Sequence, residues 1–412
     1  AAREGNAPAA RGWRASASPA AMLDGSKIDD LASDFSDLVA ERTVDENPTD
    51  LEQYGLAPAR ARAEGSFSDG TATVFFLGDL APTGSSYYLQ VKGDPTVYTV
   101  WRNVGEHFHW TLKDLRDRTI APAINPGEIT YLRIARADGT VVEISEKSAD
   151  ETKSLQFGFG RYVMTRPYRH PRGVDAEKQE ALLQGPLGIA IADFVDDDPD
   201  LAAYGLAKPW GEVLVRDKAN TLSFQFGAKR KDGMSYFRIG GKPNVYAVDA
   251  EKLSFMSTPA FDLVDKFAFI PNIDDVDRLE ITSGGATHVL SLARAKQAAQ
   301  EGESDAEEAV TAYQADGKSV EEDSFKKFYQ KVIGLLVEGE VHSPPSGKPE
   351  VRTRYLLNKG TVRDVTVSYV PYDRDFYAVF VADACDFAIS KTQLNAMRDA
   401  LARLLAGEKL TD

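Results

Sequence analysis

The chain has 412 residues, 43% of them hydrophobic, and carries 48 Lys and Arg against 63 Asp and Glu for a formal net charge of −15. That length holds two or three domains with sizeable cores, and the acidic balance argues against a nucleic-acid partner, which needs concentrated Lys and Arg. One cysteine, Cys385, excludes an intrachain disulfide framework and a multi-cysteine metal site, and no apolar run reaches the length of a membrane-spanning helix.

Residues 1–14 carry no secretory pattern. A strand is expected over 13–16, ending near Pro19, and then Ile28, Leu31, Phe35, Leu38 and Val39 recur at helical spacing. Asn47 reads as a helix N-cap with Pro48 at the first helical position, where its missing N–H costs nothing. Leu51 and Tyr54 then share a face, Gly55 supplies a left-handed turn, and Leu56 folds back as the apolar partner of a Schellman-type cap. Alternating runs at 73–77, 87–91 and 97–101 read as antiparallel strands, separated by Asp69-Gly70 and Gly93-Asp94-Pro95 turns. A short helix over 112–116 and a hairpin through 129–134 and 141–144, turning at Asp138-Gly139, complete the unit.

The chain then repeats itself. Asp50-Leu51-Glu52-Gln53-Tyr54-Gly55-Leu56 returns as Asp200-Leu201-Ala202-Ala203-Tyr204-Gly205-Leu206, 150 residues on. Gly93-Asp94-Pro95-Thr96-Val97-Tyr98 answers to Gly241-Lys242-Pro243-Asn244-Val245-Tyr246, and 129–134 to 276–281. A period drifting by a few residues is the mark of duplication with loop insertions. In the second copy Asp198 and Pro199 take the capping places, Val174, Leu182, Leu183 and Leu187 mark a helix, and strands are expected at 162–165, 212–216, 221–226, 236–239 and 245–248. A helix over 261–266 and a hairpin at 276–281 and 288–292 follow; 297–308 reads as an acidic exposed loop. A third, shortened copy starts near Val310. It carries a helical stretch through Phe328, Val332, Leu335 and Leu336, lacks the Tyr-Gly-Leu block, resumes strands at 352–357, 362–369 and 376–381, and ends in an amphipathic helix with Leu394, Met397, Leu401, Leu404 and Leu405 on its buried side.

The expected fold is therefore α+β, a tandem array of mixed, mainly antiparallel sheets with packed helices, in two near-complete copies and one shortened copy. The units span 1–160 (lacking the first hairpin, so that upstream sequence is expected to be missing), 161–309 and 310–412, and the hairpins at the joints are free to pair with either neighbour. Leu51, Tyr54, Gly55, Leu56, Leu201, Tyr204, Gly205 and Leu206 form a folding motif, with no catalytic role.

Motifs for chemistry are scarce. Gly317-Lys318-Ser319 lacks the glycine five places earlier that a phosphate loop needs, since Ala312 stands there. Gly158-Phe159-Gly160 meets Val163 where a dinucleotide fingerprint needs glycine. His107 and His109, placed on a strand, would share a face, without a third histidine nearby. Asp196, Asp197, Asp198 and Asp200 lack the ligand spacing of a calcium loop. Cys385 has no histidine in sequence reach and an acidic setting that raises its pKa. No catalytic, cofactor or metal residue is assigned. One cluster stands against the acidic background: Arg161, Arg166, Arg169, His170 and Arg172, interleaved with Tyr162, Tyr168 and Pro171. It reads first as a solvated strand end and loop, and otherwise as a docking patch for an acidic partner or lipid headgroups, with Arg161, Arg166, Tyr168, Arg169 and Arg172 as its members.

The block Asp-Leu-x-x-Tyr-Gly-Leu, followed by Leu77-Gly78-Asp79, Gly84-Ser85-Ser86-Tyr87-Tyr88 and Pro95-x-Val97-Tyr98-x-Val100, resembles the bacterial domain of unknown function 4340. Asp375-Phe376-Tyr377-Ala378-Val379 and Phe387-x-Ile389-Ser390-Lys391 resemble its closing segment, so that the likeness runs over residues 13–405. The resemblance implies a bacterial envelope protein on the extracytoplasmic, periplasmic side, usually held in the inner membrane by an N-terminal anchor that is absent from this sequence. Such proteins accompany ABC-transporter components similar to those of gliding motility. The resulting expectation is a non-enzymatic, cofactor-free scaffold that binds protein partners, ABC-type membrane subunits foremost. The alternatives are a ligand-binding or sensor module with a cleft between repeats lined by Tyr87, Tyr88, Trp101, Trp110 and Tyr236, and, further off, a cell-envelope hydrolase with a site assembled from distant residues.

Overall fold

The computed structural model describes residues 2–3, 13–19, 21–154, 158, 160–196, 199–296, 308–359 and 362–411. The chain divides into two compact units. The first holds Ala1–Ile120, Ala190–Pro199 and Asn244–Tyr246; the second holds the remainder. Among the described residues no helix is long and apolar enough to cross a membrane.

In the first unit the helix Gly25–Ser36 starts where Asp24 accepts from the Ser26 and Lys27 N–H groups, satisfying donors that the first turn leaves open. Its Ile28 is buried. Five antiparallel strands follow in the order Ala61–Ser66, Ala72–Leu80, Ser86–Val91, Val97–Trp101 and Arg42–Asp45. Leu77, Leu89 and Val100 form the core of this sheet, with Leu38, Phe75, Tyr87 and Phe108 packed against it. Residues 191–194 are held by cations of the same unit: Arg118 donates to Ile191 O (2.7 Å) and Ala192 O (2.8 Å), Lys113 meets Asp193 at 2.8 Å, and the Arg116 guanidinium lies 4.1 Å over the Phe194 ring.

Two nine-stranded sheets follow along the chain. One runs Arg172–Gly173, Tyr162–Arg166, Val141–Glu146, Ile129–Arg136, Gly211–Asp217, Thr221–Lys229, Met234–Ile239, Val245–Asp249 and Asp193–Asp196. The other runs Lys318–Val320, Glu308–Ala315, Ala286–Lys296, Val276–Ser283, Val351–Leu357, Asp364–Pro371, Phe376–Val381, Ala384–Ser390 and Gly339–Glu340. The two orders match position for position, and the five-stranded sheet matches the last five places of each. The third sheet reaches nine strands because the hairpin Val276–Ser283 and Ala286–Lys296, which precedes the third copy, joins it. Both joint hairpins pair forward: Ile129–Arg136 pairs with Gly211–Asp217, and Val276–Ser283 with Val351–Leu357.

Strand alternation sets the faces. In Val351–Leu357 the side chains of Val351, Thr353 and Tyr355 are buried while Arg352 and Arg354 are exposed. The helix Lys178–Leu187 buries Leu182 and Leu183, the helix Glu322–Ile333 buries Phe325, Phe328, Tyr329 and Val332, and Lys391–Leu405 buries Leu394, Met397, Leu401 and Leu404. The first two repeats also seat their first helix in one way. The Asp24 N–H donates to Leu115 O and Lys27 Nζ to Asp114 O; Asp175 N–H donates to Leu263 O and Lys178 Nζ to Asp262 O.

Several local expectations need correction. Asn47 does not cap a helix: its N–H donates to the Asp45 side chain, and only a single 3₁₀ turn, Glu52–Tyr54, forms beyond it. Residues 112–115 form turns, and the helix lies earlier, at Arg102–His107, where its short length hides any period. Leu335 and Leu336 lie beyond the helix end at Ile333, and Leu336 bridges to Phe267 as extended chain. Asp197, Asp198 and 297–307 lie outside the described residues.

Candidate functional site

The Tyr-Gly-Leu block forms the same turn twice. Leu56 N–H donates to Leu51 O (3.1 Å) and Gly55 N–H to Glu52 O (2.9 Å); Leu206 N–H donates to Leu201 O (2.8 Å) and Gly205 N–H to Ala202 O (3.1 Å). These are the two bonds of a Schellman motif, and they need a residue of positive φ, supplied by Gly55 at 67° and Gly205 at 70°. The capping acids are Asp50 and Asp200, which accept from Glu52 N–H and Ala202 N–H. Leu56 and Leu206 are buried beneath the turn. Tyr54 stands edge-on to Tyr88 with ring centroids 5.0 Å apart, and Tyr204 stands edge-on to Tyr236 at the same 5.0 Å. Burial, and then a hydrogen bond to Asp45, raises the Tyr54 pKa. The turn lies against a strand glycine in each copy: a Cβ at Gly78 would collide with Tyr54 O, and one at Gly227 with Tyr204 O.

The arginine cluster is divided by the fold. Arg161 is exposed and engaged by Glu146 (2.9 Å) and Gly127 O (2.9 Å). Arg166 is exposed, 4.0 Å from Glu143. The Arg169 side chain is exposed, but its N–H and that of His170 donate to the Asp386 carboxylate. Tyr168 is buried, its hydroxyl donating to Glu340 at 2.8 Å and its ring 4.6 Å from Phe387. Arg172 is buried, donates to Ala268 O at 3.0 Å, and lies 4.5 Å over the Phe387 ring. Burial pushes its pKa down to about 10. Tyr168 and Arg172, with Asp386, therefore fasten the loop after Tyr162–Arg166 to the third sheet, and only Arg161, Arg166 and Arg169 present side chains outward. Glu340 and Asp386, the partners that decide this, are more than 170 residues away in sequence, and no local signal marks them.

Beside Arg172 a cavity of about 20 Å³ is lined by His170, Asp265, Phe269 and Val381. It has the size of a water site. Among the described residues Arg172 Nε is buried there without a hydrogen-bond partner.

The remaining candidates fall into structural roles. His107 ends the helix Arg102–His107, bonds to Asp34 and packs on Trp110 at 4.1 Å, while His109 lies 5.2 Å from Tyr87. The two imidazoles do not converge. Among the described residues no three metal-ligating side chains gather. Gly317 sits in a turn beside Asp316, whose carboxylate meets His288 at 2.8 Å. Cys385 is buried, and burial followed by Asp386 pushes its pKa up to about 11. Tyr88 and Tyr236 belong to the turn contacts above, while Trp101 is exposed.

Two of the open surfaces of the second unit bear on binding. The exposed face of the third sheet forms a polar hollow around Glu280, Arg352, Arg354 and Asp364, with Arg354 bonded to Asp364 at 2.6 Å and Glu280 at 3.3 Å. Beside the helix Glu322–Ile333 an apolar groove of about 370 Å³ is lined by Ile270, Pro271, Ile273, Tyr329 and Ile333.

No curated protein matches the sequence. The profile of the family described as Domain of unknown function (DUF4340) matches it twice, over residues 13–209 and 163–353. The two matches overlap and together take in both Tyr-Gly-Leu turns and the hairpin that opens the third sheet. The chain belongs to this family of domains of unknown function.

Proposed function

We propose that this chain is a non-catalytic interaction module of the bacterial cell envelope, working on the extracytoplasmic side as an accessory component of an ABC-transporter-type membrane complex. The observation that carries the reading is the matched engagement of the repeated residues. Tyr54 and Tyr204, Gly55 and Gly205, and Leu56 and Leu206 hold one turn in both copies. Side chains so engaged contribute rigidity to a scaffold, while the outward faces of the sheets stay open to a partner. The charged hollow around Arg352, Arg354 and Asp364 is such a face, rich in groups that pair across a wet interface. The envelope setting and the ABC-type partner rest on the family resemblance.

A photo-crosslinking side chain at Arg352 in the full-length protein, expressed in its own cells, tests this reading. Crosslinks to a transporter subunit support it; crosslinks to no protein at Arg352 or at any other outward strand position would count against it.

The apolar groove beside Tyr329 favours a second reading, a sensor for a small apolar ligand, because its size falls in the range of ligand sites. A saturable thermal shift with an envelope lipid or peptide, abolished by Ile273→Asp, would move the assignment to that reading.

A further inference from the structure

The repeats hold one place in three different ways. The helices Gly25–Ser36, Lys178–Leu187 and Glu322–Ile333 each end in an equivalent bond, from Asp37, Gly188 and Gly334 to the carbonyl four residues back. The chain beyond each leads into the edge strand of its sheet: 38–41 before Arg42–Asp45, 189–192 before Asp193–Asp196, and 335–338 before Gly339–Glu340. Glu41 N–H donates to Thr99 O and Glu338 N–H to Ala388 O, so the first and third of these segments enter their sheets in one register.

The second and third segments are each covered by another piece of chain. In the first unit Arg118 clamps Ile191 O and Ala192 O, and Ile191 is only 5% exposed. In the second unit 266–268 pairs as a strand: Val337 N–H donates to Lys266 O (2.7 Å), Ala268 N–H donates to Leu335 O (2.8 Å), and Val337 is 3% exposed. The corresponding residue of the first segment, Ala40, is exposed, and among the described residues its N–H makes no hydrogen bond. Val39 beside it is 76% exposed, and the acids Asp37 and Glu41 bracket the segment.

An open strand edge pairs readily with an added extended segment. Each covered copy contributes one feature of that segment, a backbone that pairs as 266–268 does and a cation that reaches carbonyls as Arg118 does. We propose that the edge at 38–41 is a docking site for an extended, arginine-bearing segment of a partner protein, which pairs its backbone with Ala40 and sets its cation against the exposed carbonyls and the acids alongside. This deepens the scaffold reading above and rests on it: it names one edge and the chemistry of the segment that fits there.

The test uses the whole chain and a labelled synthetic peptide of residues 112–120, which carries the Arg118 that meets Ile191 internally, followed by fluorescence anisotropy. Saturable binding is expected, weakened by about tenfold or more in Ala40→Pro, which removes the N–H, and in Val39→Lys, which adds a like charge. A peptide carrying Arg118→Ala should bind more weakly to the parent chain. Val362→Lys, at an exposed apolar position outside this segment, should bind as the parent does. Thermal melting of both edge variants guards against loss of fold, and Val39→Lys stands alone if Ala40→Pro melts early. Absence of saturable binding, or equal binding by both edge variants, overturns the proposal. Concentration-dependent self-association of the chain that Ala40→Pro abolishes would also overturn it, because the occupant is then a second copy. Failure here together with retained crosslinks at Arg352 removes the edge site and leaves the scaffold reading standing.

Discussion

Tyr54 meets Tyr88 edge-on at 5.0 Å and 63°, and Tyr204 meets Tyr236 at 5.0 Å and 69°. Two ring pairs so alike, 150 residues apart along the chain, imply that the same contact stabilises each copy. Tyr54→Ala and Tyr204→Ala should each destabilise by about 2 kcal/mol, combining half-buried apolar area with the ring contact. Tyr54→Phe should cost about 1 kcal/mol, through the bond to Asp45 alone. Urea denaturation followed by circular dichroism measures all three, and equal losses for Phe and Ala at position 54 would remove the ring contact from the account.

The strand glycines under the turns are the stricter test of the duplication. Gly78→Ala and Gly227→Ala place a methyl group against the carbonyls of Tyr54 and Tyr204, which are backbone and cannot swing aside. Each should cost about 2–3 kcal/mol. Gly139→Ala, in open space at φ 86°, carries only a backbone penalty of about 1 kcal/mol. Thermal melting that ranks Gly139 above the other two would contradict the close seating of the turn.

Asp386 holds the loop of the arginine cluster through the N–H groups of Arg169 and His170. Asp386→Ala should cost about 2 kcal/mol, since hydrogen bonds to a charged acceptor are the stronger kind. Amide exchange at Arg169 and His170 should speed up well beyond that of Tyr162–Arg166. Unchanged exchange at those two amides would mean that the loop is held by Tyr168 and Arg172 alone.

His170 sets a pH dependence. Burial, and then the neighbouring Arg172, lowers its pKa below 6.5. The unfolded chain therefore takes up a proton at higher pH than the folded one does. Folded stability is undiminished above 6.5, falls as the pH drops below it, and levels off below the folded pKa. Between about pH 7 and about pH 5 the melting temperature should fall less in His170→Gln than in the parent chain. Parallel curves would show that the imidazole does not titrate differently on folding.

Cys385, buried with its pKa pushed up to about 11, should resist iodoacetamide at about pH 8 in the folded chain and react fully in denaturant. Rapid labelling of the native protein would place the thiol near the surface.

Much of the fold is legible in the residues because its signals are local. Gly55 and Gly205 announce a left-handed turn, and the apolar residues after them supply its contact, since both bonds of the turn close within six residues. Alternation in 221–226 reads as strand because one face of the sheet is buried. Short elements escape this reading. The six-residue helix Arg102–His107 is too brief to display a period, and the turn at Asp50 is capped by the aspartate itself where Asn47 offers an equally good side chain.

The amino-acid sequence by itself determined that this protein is a duplicated α+β chain with the same turn in two copies, because those instructions act between neighbours. Tertiary structure alone decided the rest. It set Ile129–Arg136 and Val276–Ser283 on the sheets that follow them, and it divided one run of arginines into side chains facing outward and a cation packed on Phe387. It also left Ala40 open where Ile191 and Val337 are covered. Each of those outcomes depends on a partner far along the chain. A hydrogen-bond donor or an apolar face carries no mark of which distant segment will satisfy it, and only the folded packing makes that choice.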